Sequence, residues 1–310
     1  MKQWKKWTAA VLAGAMLFAL TACGGGSKSA DTIVIYDGQF SEMHLIHRMV
    51  KLLVEEHTDA KVEIRDEMAP VASYNEILKG NADIMNSYDG TLLTTFLHLD
   101  PADVPDDMTL YDFANEQAAD KGVQLMNKLG LNNTYVIGVP QDIADEYNLE
   151  TISDLAEVAD QLIFAAEHDF FTEEGSAKYN PFVEFYGLNF KEGKQIDILL
   201  KYSAVQNGDV DVTVVYATDA LNKEANLKLL EDDRGFFPEY NGAILVRSEL
   251  FEEMKDTAPN LAEVLNMLEG RLTDDVMSGL SYQIDVGVDG TKKNADEVAE
   301  EFLREQGLIS

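Results

Sequence analysis

From residue 32 onward the apolar positions change period several times. "TIVIY" (32–36) is a β-rich run, and "SEMHLIHRMVKLLVEEH" after it sets Met43, Ile46, Met49, Val50, Leu53 and Val54 on one helical face, with Ser41 as the expected N-cap. "AKVEIRDEM" reads as a strand, "ASYNEILKG" as a helix closed by Gly80, and "ADIMNSY" as a strand. That alternation predicts a parallel sheet flanked by helices. More helix is expected through "DPADVPDDMTLYDFANEQAADKGVQLMNKLG" until "NNTYVIGVP" breaks in as a strand. "TISDLAEVADQ" has a helical pattern with Ser153 at its start, "LIFAAE" is a strand, "SAKYNPFVEFYG" a helix, "KQIDILLKYSAVQNG" a strand, turn and helix, and "VDVTVVY" a strand. "PEYNGAILVRSEL" returns as a strand, and the remaining tail is mostly amphipathic helix. The pattern predicts two α/β lobes joined by two crossover strands, near residues 132–139 and 236–246. Lobe I is expected to comprise 32–134 plus 237–310, with lobe II, 135–236, inserted between the crossovers.

The residues ahead of this alternation change the picture of where the protein works. Lys2, Lys5 and Lys6 precede the apolar run "WTAAVLAGAMLFAL", which is shorter than the ~20 residues a bilayer span needs. Residues 1–22 therefore read as an export signal. They end in "LTAC", and this motif resembles the lipobox of bacterial lipoproteins, implying a mature chain that begins at Cys23, carries lipid on its thiol and sits at the outer face of the cell membrane. "GGGSKSAD" (24–31) then reads as a flexible tether from the lipid to the folded part. Cys23 is the only cysteine, so no disulfide assists folding. The formal charge is −32, from 24 basic and 56 acidic residues, a surface that repels nucleic acid and anionic lipid.

Candidate chemistry lies in a spacing used twice. "GNADIMNSYDG" and "GDVDVTVVYAT" each place an Asp three residues and a Tyr eight residues after a Gly that closes a helix: Gly80, Asp83, Tyr88 and Gly208, Asp211, Tyr216. Ligands of open α/β sheets bind outside the carboxyl ends of the strands, where Tyr88 and Tyr216 stand. Tyr135 and Tyr240 occupy the two crossovers. Four aromatic faces suit a cation without N–H donors, such as a quaternary ammonium, which ring quadrupoles attract from several sides.

The segments "TIVIYDGQFSEMHLIHRM", "SYDGTLLTT", "LGLNNTYVIGVPQDIADEYNLETISDLAEVA", "QNGDVDVTVVYATD" and "LKLLEDDRGFFPEYNGAILVR" resemble, in order and spacing, the binding lipoproteins of ABC importers for osmoprotectants such as glycine betaine, carnitine and choline. The resemblance runs from about residue 32 to the end of the chain. It implies a two-lobed periplasmic-binding-protein-like (type II) α/β fold, a tyrosine cage of Tyr88, Tyr135, Tyr216 and Tyr240, and polar contacts from Gln39 and Thr91 to the ligand's other end. It also implies a monomer working with a membrane permease and a separate ATPase subunit, with no cofactor and no catalysis. The chain departs from the family pattern at "NSYDGT", which sets Asp89 beside a cage tyrosine as a possible ligand contact or a solvated turn residue, at "TDALN", and at "SEMHLIHR" where Thr-Glu-Gln is usual.

Other readings are weaker. His44 and His47, three apart with Glu42 nearby, are a thin metal signal. No Gly-x-Ser-x-Gly elbow and no phosphate-binding Gly-x-x-x-x-Gly-Lys run occurs. An amino-acid ligand would call for a basic partner to its carboxylate, with Arg65, Arg234 and Arg247 as candidates.

Overall fold

The computed structural model describes residues 31–171, 177–197 and 200–310. The export signal, Cys23 and the tether up to residue 30 lie outside the described residues. Ten strands form two five-stranded sheets: β1 (Thr32–Tyr36), β2 (Lys61–Arg65), β3 (Ile84–Tyr88), β4 (Val123–Leu125), β5 (Tyr135–Pro140), β6 (Ile163–Ala166), β7 (Glu192–Gln195), β8 (Val212–Tyr216), β9 (Leu227–Leu230) and β10 (Gly242–Arg247). The orders are β2-β1-β3-β10-β4 and β7-β6-β8-β5-β9, the same path traced twice. β5 and β10, the two crossover strands, hold equivalent places, β10 beside the strand that ends in Tyr88 and β5 beside the strand that ends in Tyr216.

Both sheets are mixed, which corrects the parallel expectation. β1, β2 and β3 run parallel, as do β6, β7 and β8. β10 is antiparallel to β3 and β4, and β5 to β8 and β9. The reason is topological: a crossover enters each sheet from the cleft side, where the parallel strands end, and so must run back against them. β4 falls inside the stretch expected to be helix and corrects it, β7 overlaps the start of the run "KQID" expected as a strand, and β4 and β9 are too short to show alternation.

Helix Ser41–His57 buries its predicted stripe, with Met49, Leu53 and Val54 fully buried against Ile33, Ile35 and the C-terminal helix Ala295–Glu305. Ser41 is not its N-cap. The cap position falls on Phe40 with no side-chain bond, and the Ser41 hydroxyl donates to Asp285 instead. The segment begun by Ser153 is a pair of 3-10 turns, Ser153–Glu157 and Ala159–Gln161, preceded by Ile152. Lobe II has its own core, in which Phe164, Phe170 and Phe182 are fully buried. No helix among the described residues is long and apolar enough to cross a membrane.

The repeated spacing does one job in both lobes. Gly80 and Gly208 end their helices in the left-handed region, at φ 74° and 75°, where a side chain is strained. Asp83 then accepts the Val34 N–H at 2.8 Å, and Asp211 accepts the Ile163 N–H at 2.8 Å. Each carboxylate thus pins the start of its own strand to the neighbouring parallel strand.

Candidate functional site

The strand registers bring the four tyrosines together. β5 pairs with β8 so that Tyr135 faces Tyr216 directly, and their rings stack with centroids 5.2 Å apart at 27°. In the other sheet Gly242 faces Tyr88, and Tyr240, two residues earlier, tilts over Tyr88 at 5.2 Å. Gly90 permits this close approach: a Cβ there would lie 2.3 Å from the Tyr240 ring. The Thr91 hydroxyl meets the Tyr240 hydroxyl at 2.7 Å. Each pair lies within electrostatic range of the other, Tyr240 acting on Tyr216 and Tyr135 on Tyr240.

Burial pushes all four phenols above their ordinary range, Tyr88 well above it with the Glu42 carboxylate adding to the effect. They therefore stay neutral at physiological pH, so the rings keep their hydroxyl donors and present no phenolate.

A glutamate that sequence reading set aside with a histidine pair is central here. Glu42, in the first turn of Ser41–His57, is 7% exposed; its carboxylate accepts from the Tyr88 hydroxyl and, at 2.8 Å, from the Thr218 hydroxyl. Thr218 follows β8, so this bond crosses the cleft. A second crossing bond runs from the Tyr282 hydroxyl to Glu224 at 3.0 Å. Burial pushes the Glu42 carboxyl up; the two hydroxyl donors oppose that and Asp274 adds to it.

Opposite charge marks the other lobe. Lys201 opens helix Lys201–Gln206 and is 1% exposed, its Nζ 5.6 Å from the centre of the Tyr216 ring. It donates to the Val214 carbonyl at 3.3 Å and lies 3.8 Å from Glu167. Burial pushes its ammonium down, against the pull of Glu167 and Asp219. One sequence signal was available: Lys201 and Val205, four apart, share a helical face that is otherwise apolar.

The remaining expected residues divide. Gln39 is exposed in the loop before Ser41–His57. Asp89 is fully buried rather than a solvated turn residue, and its oxygens accept from the Gly90 N–H at 2.7 Å, the Asn241 N–H at 2.9 Å and the Asn241 amide at 2.7 Å. It ties the end of β3 to a crossover. Asn132 and Asn241 form a bridge between the crossovers, and Asn132 Oδ1 accepts the Tyr240 N–H at 2.6 Å. Asp89 therefore holds the frame that presents Tyr240.

Of the histidine pair, His47 is part of the core, while half-buried His44 meets the Gly38 carbonyl at 2.8 Å. His47 Nε2 accepts the Asn86 N–H at 3.0 Å, which leaves Nδ1 to donate to Asp37 at 3.0 Å. Burial works against the Asp37 charge, but His47 and Arg48 hold its carboxyl far below the usual range. Among the described residues no cluster of three or more His, Cys, Asp or Glu is arranged to hold a metal ion. The three arginines have other duties: Arg65 pairs with Glu63 at 2.8 Å, Arg247 with Asp83 at 2.8 Å, and Arg234 lies 4.4 Å over the Phe185 ring. An open trough of about 510 Å³ on lobe II, lined by Pro140, Gln141, Asp211 and Glu224 among others, includes none of the tyrosines.

The family model described as the substrate-binding domain of ABC-type glycine betaine transport systems matches residues 31–305. The chain is 32% identical over 301 residues to a carnitine transport binding protein of Listeria monocytogenes, covering 94% of this chain and 92% of the relative. It is 29% identical over 279 residues to an ergothioneine transport permease/binding protein of Helicobacter pylori, covering 89% of this chain and 48% of that longer protein. A crystal structure described as a glycine betaine/carnitine/choline ABC transporter superposes with a TM-score of 0.80 at 29% identity, covering 90% of this chain and all of the other.

Proposed function

This chain belongs to the substrate-binding domains of ABC-type glycine betaine transport systems, and from that premise we propose which part of the molecule takes the ligand and how. Its role is to capture a quaternary-ammonium osmoprotectant outside the cytoplasm and deliver it to an ABC importer; its relatives are transport binding proteins. The ligand's cation lies among Tyr88, Tyr135, Tyr216 and Tyr240. The observation that carries this reading is the arrangement of four neutral phenol rings, Tyr88 buried and the other three partly buried, as one pair in each sheet at the ends of topologically equivalent strands. A trimethylammonium group offers no N–H to a carboxylate. Ring faces attract it at ~0.5–2 kcal/mol each when desolvated.

Ligand binding draws the lobes together about the paired crossovers, and the Thr218 to Glu42 bond forms as the cleft closes. Lipid anchoring at Cys23 keeps the protein, as a monomer, beside its permease. Calorimetry against glycine betaine, carnitine and choline tests the site. Micromolar binding of at least one of them, abolished in Tyr135→Ala, is expected. Binding that survives this substitution unchanged would remove the cage from the account. Retention of a Cys23→Ser variant in the membrane fraction would overturn the anchor.

A further inference from the structure

Equivalent tyrosines in the two lobes stand against opposite charges. Tyr88 donates to buried Glu42, whereas Tyr216 lies 5.6 Å from buried Lys201. Lys201 carries three N–H donors and, among the described residues, makes one hydrogen bond, a long one of 3.3 Å to the Val214 carbonyl. Glu167, whose side chain is 14% exposed, sits 3.8 Å away, beyond hydrogen-bond length. Both Glu167 carboxylate oxygens are buried without a hydrogen-bond partner. Buried polar groups are almost always satisfied, and a buried ion pair kept for stability alone closes to direct contact, because only good geometry offsets its desolvation. This pair leaves a gap, and an oxygen atom set between its members would reach both.

The pair also adjoins the cage. Glu167 acts electrostatically on both Tyr135 and Tyr216, and it follows β6 at the same carboxyl edge where β8 ends in Tyr216. Resting on the cage reading above, we propose that Lys201 and Glu167 form the polar end of the ligand site, Lys201 taking the ligand's carboxylate and Glu167 accepting from a hydroxyl beside it. With Glu42 on the far side, the cleft is bipolar. The ligand class that satisfies it is a zwitterion: a quaternary ammonium joined by a short chain to a carboxylate, with a hydroxyl on that chain to satisfy Glu167.

Three probes separate the contributions: glycine betaine carries the carboxylate alone, choline the hydroxyl alone, and carnitine both. Lys201→Met keeps the length of the side chain but leaves the buried Glu167 carboxylate without its partner, so a lower melting temperature is expected and affinities are read on the folded variant. Its affinity for glycine betaine and carnitine should fall about tenfold or more while choline holds within about threefold, a selectivity that a purely structural lysine would not produce. Glu167→Gln should weaken carnitine and choline about three- to tenfold and leave glycine betaine unchanged. If Lys201→Met fails to fold, the Glu167→Gln ratios decide the matter. Equal shifts for all three ligands, or none, in a folded variant would overturn the proposal and leave the cage reading standing. Failure of the unmodified protein to bind any of the three would instead overturn the cage.

Discussion

The two sheets follow one path, and Gly80, Asp83 and Tyr88 in the first match Gly208, Asp211 and Tyr216 in the second. The glycine ends a helix, the aspartate pins the strand, and the tyrosine finishes it. What differs is the surroundings. Asp83 is fully buried and also pairs with Arg247, which itself binds Glu253; among the described residues the Asp211 carboxylate accepts from the Ile163 N–H alone. Glu42 stands at the Tyr88 end of the cleft and Lys201 at the Tyr216 end. A repeated backbone frame thus places rings symmetrically, while the charges behind the rings are set independently in each lobe. On the proposed reading, the symmetry serves the ligand's cation, which rings attract from any side, and the asymmetry serves the ligand's other, polar end.

Several measurements would break or sharpen that contrast. The largest effect should come from Asp83→Asn, which removes the buried carboxylate facing Arg247 while Glu253 still holds that guanidinium: a loss of ~1.5–3 kcal/mol in urea denaturation, against ~1 kcal/mol for Asp211→Asn, where one partly buried hydrogen bond is weakened. Equal losses would mean that the Arg247 pair adds nothing and that the lobes are energetically alike. Next come the rings. Tyr88→Leu and Tyr216→Leu should each weaken a quaternary amine by roughly 5- to 30-fold, or ~1–2 kcal/mol, in calorimetry. A much larger loss from one of them would place the cation against a single lobe. Gly80→Ala and Gly208→Ala should each cost ~1 kcal/mol, and by the same amount, because both glycines have positive φ and no atom lies within 4 Å of an added Cβ.

The last contrast is one of sign. Glu42 is raised in the folded state, so the fold binds more protons than the unfolded chain between the two pKa values; stability falls as pH climbs above the ordinary carboxylate range, and Glu42→Gln should remove that decline. Asp37 is lowered, so its contribution is present above its unfolded pKa and is lost as pH falls through the acid range; Asp37→Asn should remove that acid-side loss. Melting temperatures of both variants across pH 3 to 8, a span of about five units around the carboxylate range, would show the two slopes.

Much of the frame was legible because it is local. The stripe from Met43 to Val54, the left-handed glycines and the spacing from Gly to Asp to Tyr each depend on neighbours within one helix or one strand. The family segments located the four tyrosines for the same reason. Ser41 shows where local reading fails: its hydroxyl had a capping role available and went to Asp285, a residue 244 positions away. Asp89 before Gly looked like a turn, and does bond the Gly90 N–H, but burial against Asn241 made it a brace between strand and crossover.

By itself the sequence determined two α/β lobes, their order along the chain and the residues that end the central strands, since periodicity and turn chemistry act over a few residues. Only the tertiary structure decided the direction of the crossover strands, the partner of each tyrosine and the charge behind each ring. Glu42 meets Tyr88 across 46 residues and Thr218 across 176. A buried charge is tolerated only where distant groups converge on it, and that convergence is a property of the packed chain, which no local pattern encodes.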